Sequence, residues 1–232
     1  MSLENAIAIT IDGKPIRELV IDGKKIFPKL PEGYTELEYI QSAASQYIDT
    51  GVKVNPDYSV SAEYMITTRA AVWDTVFGTR NGNTARFTAR YANSATGVLG
   101  VHRSRAKTTN YQPFNDSQAA KNKVTDGFHH IRLAKNKYYF DGELRYTFRT
   151  TTSQTLYSYN LFIFANNNVG KVGDAGHFRM RLCTIQDEKD EFVRFFIPCL
   201  NPDGVAGMYD MITKTFFKSN STKAFVAGPV KG

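Results

Sequence analysis

The sequence predicts an all-β protein, a two-sheet antiparallel jelly-roll sandwich preceded by a short N-terminal β-hairpin arm. Three observations predict it. Short apolar or alternating runs recur along most of the chain, with turn signals about every 8 to 12 residues, which is the spacing of a sandwich or barrel. Residues that suit a pleated, half-buried surface are abundant, with 16 Phe and 13 Tyr among 232 residues. No window of twelve or more residues carries a helical period. Only residues 117–123 suggest a single helical turn.

The arm comes first. Ile9-Thr-Ile-Asp-Gly-Lys-Pro-Ile16 is echoed ten residues later by Leu19-Val-Ile-Asp-Gly-Lys-Lys-Ile26. Each copy is an apolar run broken by Asp-Gly (Asp12-Gly13 and Asp22-Gly23), a strong hairpin-turn signal. Two such units make a three-strand meander, too small to be stable alone in water. The arm therefore packs on something: its own domain, a sister subunit or another protein. Pro28 and Pro31 break the pattern, and Pro28 to Gly33 reads as a linker. This divides the chain into an arm over residues 1–29 and a sandwich over 30–232.

Within the sandwich, Leu37–Ile40 and Gln46–Thr50 flank a small-residue turn. Tyr58 to Ile66 alternates. So does Thr84 to Tyr91, with Ala85, Phe87, Ala89 and Tyr91 on one face and Arg86, Thr88 and Arg90 on the other. His129–Ala134, Lys137–Phe140 and Glu143–Phe148 are joined by tight Lys-Asn and Asp-Gly turns. Leu161–Ala165 and Phe192–Ile197 are continuous apolar runs, the mark of central strands. Phe178–Ile185 alternates. Met208–Asp210, Lys214–Phe217 and Phe225–Gly228 close the chain.

The formal net charge is +7. Lys and Arg are spread along the chain, so a solvated basic surface is the expected meaning, and an anionic partner is the sharper alternative. The densest cluster is Arg103, Arg105 and Lys107. Nucleic acid is not an expected partner, since no recognition motif is present and aromatics do not interleave with the basic residues. Cys183 and Cys199 fit no metal spacing and lie in apolar runs, which predicts two buried free thiols. Met1 to Asp12 lacks the features of a signal peptide, and no apolar stretch approaches about 18 residues. The expectation is synthesis in a cytoplasm without membrane insertion.

Leu30-Pro-Glu-Gly-Tyr-Thr-Glu-Leu-Glu-Tyr-Ile-Gln41 and Gln46-Tyr-Ile-Asp-Thr-Gly51 resemble the opening of concanavalin A-like, laminin-G-like sandwich domains of phage and prophage virion proteins. Arg194-Phe-Phe-Ile-Pro-Cys199, Gly207-Met-Tyr-Asp210, Phe216-Phe217 and Ala227-Gly228-Pro229 resemble their close. Tyr139–Gly142 and Leu161–Ala165 resemble the middle. The likeness covers about residues 30 to 229. It implies a jelly roll displayed on a virion surface, binding host saccharides or decorating a capsid, neck or tail. The Asp-Gly-Lys repeats resemble docking segments at the start of such proteins. That implies other virion proteins as partners through the arm, and a homo-oligomer. Such domains sometimes hold calcium at the sandwich rim, where Asp174 and the Asn166–Asn168 loop offer hard oxygen ligands; no other cofactor is expected. Tyr47, Ile48, Met208 and Tyr209 read as core or sheet-pairing residues, since first and last strands of a jelly roll often pair.

Fold alone does not give function. Sandwich glucanases carry carboxylates in alternation along one strand, with nucleophile and acid roughly 5 Å apart for retention. Glu36 and Glu38 share a face but lack a third acid, and Asp187–Glu191 reads as a solvated turn. His129 and His130 point to opposite faces of a strand. No hydrolase or nucleotide-binding motif is present. An enzyme is therefore not expected, and a glycan-processing activity is the distant alternative. A saccharide site needs an aromatic platform and hydrogen-bonding side chains. Trp73, the single tryptophan, lies in an apolar segment that favours core burial, with display as the alternative. Arg86, Arg90 and His102, with Tyr111, are the outward set expected to complete such a site. Arginine there suits a ligand carrying phosphate or carboxylate.

Overall fold

The computed structural model describes residues 10–11, 14–15, 19–21, 24–27, 29–43, 45–68, 73–81, 85–93, 98–104, 127–148 and 157–231. For 10–27, 85, 91–93 and 98–104 it describes backbone alone. Asp12, Gly13, Asp22, Gly23, Arg105, Lys107, Tyr111 and the helical turn expected at 117–123 lie outside the described residues.

The described residues are all-β, with no helix. The first part of the chain forms β1 (Thr10–Ile11), β2 (Lys14–Pro15), β3 (Leu19–Ile21) and β4 (Lys24–Phe27). These pair antiparallel as β1 with β2 and β3 with β4, each ladder spanning one Asp-Gly. Among the described residues no ladder joins the two pairs into the expected meander.

The remaining strands follow in chain order: β5 (Thr35–Glu36), β6 (Ile40–Gln41), β7 (Ile48–Asp49), β8 (Ser59–Ile66), β9 (Thr75–Asn81), β10 (Ala85–Asn93) and β11 (Val98–Ser104). Next come β12 (His129–Ala134), β13 (Lys137–Phe140), β14 (Glu143–Thr147), β15 (Phe162–Ile163), β16 (Asn166–Asn168) and β17 (Lys171–Gly173). Last are β18 (Phe178–Gln186), β19 (Phe192–Leu200), β20 (Ala206–Asp210), β21 (Thr215–Lys218) and β22 (Val226–Ala227).

They build two main sheets. The larger runs β14-β13-β12-β8-β18-β19-β20-β21, with β5, β6 and β22 added beside β18 and β19. The smaller runs β11-β10-β9-β15-β7, with β16 and β17 beside β9. Period-2 alternation sends one face of each sheet into a shared core. Val60, Ala62, Tyr64, Ile131, Leu133, Met180, Cys183 and Phe196 come from the larger sheet; Phe77, Phe87, Ala89 and Ile163 come from the smaller. The pairing is not wholly antiparallel. Asn166–Asn168, expected as a rim loop, is a strand parallel to β9, with Asn166 opposite Gly78 and Asn168 opposite Arg80. Leu161–Ala165 yields only a two-residue strand, because Phe164 turns into the left-handed region at φ 67° and redirects the chain into β16.

The ends of the sandwich close on each other. β22 pairs with β6, Leu37 bridges Val230, and Lys231 Nζ meets Glu36 Oε1 at 3.0 Å. The segment read as a linker is docked. Leu30 and Tyr34 pack on a second apolar cluster of Leu182, Phe195, Ile197, Cys199, Tyr209 and Met211. This cluster lies on the face of the larger sheet away from the main core, so Cys183 and Cys199 sit on opposite faces and cannot bond. Both thiols are buried and free.

Candidate functional site

β9, β10 and β16 set the site. Their registers place Arg86 opposite Arg80, and both Thr88 and Asn166 opposite Gly78. Directly opposed residues share a sheet face. Gly78 is required there, since a Cβ would stand 2.8 Å from both Asn166 Oδ1 and Thr88 Cγ2. Its absence lets the Asn166 and Thr88 side chains close over the sheet.

The sequence-predicted face of β10 is not a solvent-facing row. Thr88 is 1% exposed and Arg90 7%. Trp73 and the Asp174 loop stand against Arg90: its guanidinium carbon lies 4.3 Å from the Trp73 ring centroid, and its Nη1 lies 4.0 Å from Asp174 Oδ2. Arg80 Nη2 approaches the same oxygen at 3.7 Å, and Asn166 Nδ2 donates to it at 3.4 Å. Thr75 N donates to the Asp174 carbonyl at 2.9 Å, which ties the loop to β9.

Trp73 departs from its expected burial. It is 41% exposed, at φ 86°. A bulky side chain in that region is a backbone outlier. The turn throws the indole out of an otherwise apolar segment, and Thr75 Oγ1 donates to the Trp73 carbonyl at 3.0 Å to hold it. Phe164, Val169 and Asp174 are also left-handed, at φ 67°, 56° and 52°. Strain of this kind collects where a protein holds a working geometry.

Two sets of residues that the sequence keeps apart therefore converge. Trp73 and Arg90, from the saccharide set, meet Asn166 and Asp174, from the calcium set. Arg86 is half-buried and joins the group by its register with Arg80. His102 pairs through its backbone with Thr88; its side chain and all of Tyr111 lie outside what is described. Asp174 already faces two guanidiniums, and Asn166 Oδ1 and Asn168 Oδ1 are buried rather than turned to a rim. Among the described residues no three of His, Cys, Asp and Glu are grouped to hold a metal.

Sequence reasoning missed Arg80, Gly78 and the pair beside them, Asp74 and His177. Alternation along Phe77-Gly-Thr-Arg80 was the available signal for Arg80. Asp74 Oδ2 lies 3.2 Å from His177 Nδ1 and accepts from His177 N at 3.4 Å. Burial pushes the Asp74 carboxyl above its ordinary range; the hydrogen bonds and charge of His177 oppose this, and the Asp174 carboxylate adds to it.

What the group can do is recognise. An exposed indole offers a flat apolar face, and the partly exposed Arg80 and Asp174 stand in the same group. A second concavity, about 260 Å³, lies between the paired chain ends and the larger sheet, lined by Glu36, Leu37, Glu38, Arg181, Leu182, Ile197 and Lys231. Glu36, Arg181 and Lys231 are met within the protein. Lys231 pairs with Glu36, and Arg181 lies 3.7 Å from Glu63 and stacks over Phe128 at 3.6 Å. No protein-family model and no curated protein matches this chain.

Proposed function

We propose that this chain is a phage virion surface protein whose concanavalin A-like jelly roll binds host-surface glycans at the Trp73 site, with residues 1–29 as the arm that docks it to other virion proteins. The observation that carries the reading is Trp73: a single tryptophan, held outward at φ 86° and backed by the Arg90 guanidinium. Aromatic faces stack on the apolar side of a sugar ring, and neighbouring Arg, Asp and Asn side chains take its hydroxyls. The jelly-roll reading is supported by the larger sheet, where β8 runs between β12 and β18 and so joins distant parts of the chain. The motif resemblance supports the virion setting. On this reading the protein is a binding module and not an enzyme.

A second reading is a purely structural capsid, neck or tail decoration. It is favoured by exposed apolar side chains away from Trp73, such as Leu144 at the sheet edge and Val226 and Val230 near the chain end. Binding to a panel of bacterial cell-wall polysaccharides, at low salt and at about 150 mM, separates the two, since exposed charges are screened at the higher salt. Saturable binding that survives the salt supports the adhesin. No binding at either salt supports the decoration protein.

A further inference from the structure

We infer that the concavity between the chain ends and the larger sheet is a site for a free aliphatic α-amino acid, bound as its zwitterion. It lies on the other sheet from Trp73 and does not rest on the glycan-binding reading. A fork in the larger sheet creates it. β18 and β19 pair over residues 183–186 and 192–196 and then part. Beyond the fork, Arg179 and Met180 of β18 pair with β6, while Cys199 and Leu200 of β19 pair with β5. Leu182 and Ile197 stand where the strands part, and Leu37 belongs to the segment joining β5 to β6. These three are buried, at 5%, 4% and 1% exposed, and all line the cavity. The β18–β8 register breaks between Met180 and Leu182, so Arg181 is the extra residue of a bulge. Bulges re-aim a side chain, and Arg181 lines the same cavity.

The rim is charged and balanced, with Glu36 and Glu38 against Arg181 and Lys231. Lys231 and Glu36 close on each other at 3.0 Å. Arg181 and Glu38 keep capacity for a ligand. Arg181 is 35% exposed and stands over Phe128; its 3.7 Å approach to Glu63 is beyond hydrogen-bond reach, so among the described residues its N–H groups donate no hydrogen bond. Glu38 is exposed, its backbone N held by the Pro229 carbonyl at 2.8 Å, and its carboxylate has no partner among the described residues. A guanidinium is a rigid planar fork that matches a carboxylate bidentately. An apolar pocket with a few polar groups is the usual form of a small-molecule site. At about 260 Å³ the cavity falls below the roughly 300–1,000 Å³ of drug-sized sites, which limits its occupant to a molecule of single-residue size. A zwitterion meets every group at once: its carboxylate on the Arg181 fork, its ammonium on Glu38, its side chain on Leu37, Leu182 and Ile197. A ligand with one charge leaves Arg181 or Glu38 unmatched, and a neutral sugar leaves the apolar wall uncovered.

The full chain is titrated calorimetrically, at about 150 mM salt, with L-leucine, D-leucine, N-acetylleucine, leucinamide and glycine. The expected result is saturable binding of at least one leucine enantiomer. Affinity should fall by roughly tenfold or more for N-acetylleucine, which lacks the ammonium, for leucinamide, which lacks the carboxylate, and for glycine, which lacks the side chain. Glu38→Gln changes an exposed position, so its melting curve should match wild type while it binds leucine no better than wild type binds N-acetylleucine. Arg181→Lys, which keeps the charge beside Glu63 and loses the fork, should weaken leucine and leave leucinamide unchanged. No saturable binding of either enantiomer overturns the inference. So does a blocked form or glycine that binds as well as leucine, or a Glu38→Gln chain with wild-type affinity. Each of these outcomes leaves glycan binding at Trp73 standing.

Discussion

The guanidinium of Arg90 stacks on the ring of Trp73 while its Nη1 faces Asp174, so one buried arginine joins an exposed aromatic face to a carboxylate on a distant loop. The stack backs the indole, which stays 41% exposed. Such cation–π contacts are worth roughly 0.5–1 kcal/mol at exposed sites and more where desolvated.

Trp73 holds a backbone conformation that costs a non-glycine residue roughly 1–3 kcal/mol. Trp73→Gly relieves that strain and loses the stack, two effects of similar size and opposite sign. The melting temperature should stay within a few degrees of wild type, while glycan binding is lost. A variant that unfolds many degrees lower would make Trp73 a core residue and not a displayed one.

Gly78→Ala tests the floor of the site. The new Cβ meets Asn166 Oδ1 and Thr88 Cγ2 at 2.8 Å, with β9 and β16 fixed by their ladder. Overpacking of this kind costs about 1–3 kcal/mol. Denaturant unfolding should show a lowered midpoint with an unchanged slope.

Asp210 is the fixed point of the closing hairpin. Its carboxylate is fully buried and accepts from Phe195 N at 2.8 Å, Ile212 N at 3.1 Å, Thr213 N at 3.3 Å and Thr213 Oγ1 at 2.6 Å, with Arg194 Nε at 3.5 Å. Asp210→Ala orphans these donors together and should cost about 3–5 kcal/mol. A loss below about 1 kcal/mol in equilibrium unfolding would refute that role.

The Asp74 carboxyl titrates above its ordinary value of 3.8, chiefly through burial. The folded protein therefore keeps this proton to higher pH than the unfolded chain does. That contribution to stability is complete below the unfolded value and is lost as pH rises through the folded one. Asp74→Asn cannot suffer this loss, so its stability relative to wild type should improve as pH rises from strongly acid toward neutral. A fall in the stability of Asp74→Asn relative to wild type over that window would give the opposite sign and contradict the assignment.

Burial pushes the Cys199 thiol up to about 12 and the Cys183 thiol higher still. Thiolate is the reactive form. Neither cysteine should react with a thiol reagent in the native protein, and both should react once denaturant unfolds it.

The fold was legible where the signal is local. Tyr58–Ile66 alternates and becomes β8, and Asp187–Glu191 forms the turn between β18 and β19 with Asp187 N bonded to Glu191 O. The two cysteines are buried as their apolar runs suggest. The site was legible only in pieces. Trp73 and Arg90 stand out in the sequence, yet the apolar neighbours of Trp73 favour burial over display, and a single left-handed residue reverses a side chain without changing composition. Arg86, Thr88 and Arg90 share the predicted face, but Trp73, the Asn166 side chain and the Asp174 loop close on it, all brought there by tertiary contacts. The Asn-rich segment reads as a loop on propensity, and its parallel pairing with β9 depends on Gly78, far away in sequence.

The measurement that bears most directly on this account is binding of wild type and Trp73→Gly to a cell-wall polysaccharide panel at about 150 mM salt, with melting curves taken alongside. Wild type is expected to bind saturably and the variant not at all, at matching stability. Binding by both proteins alike, or by neither, would contradict it.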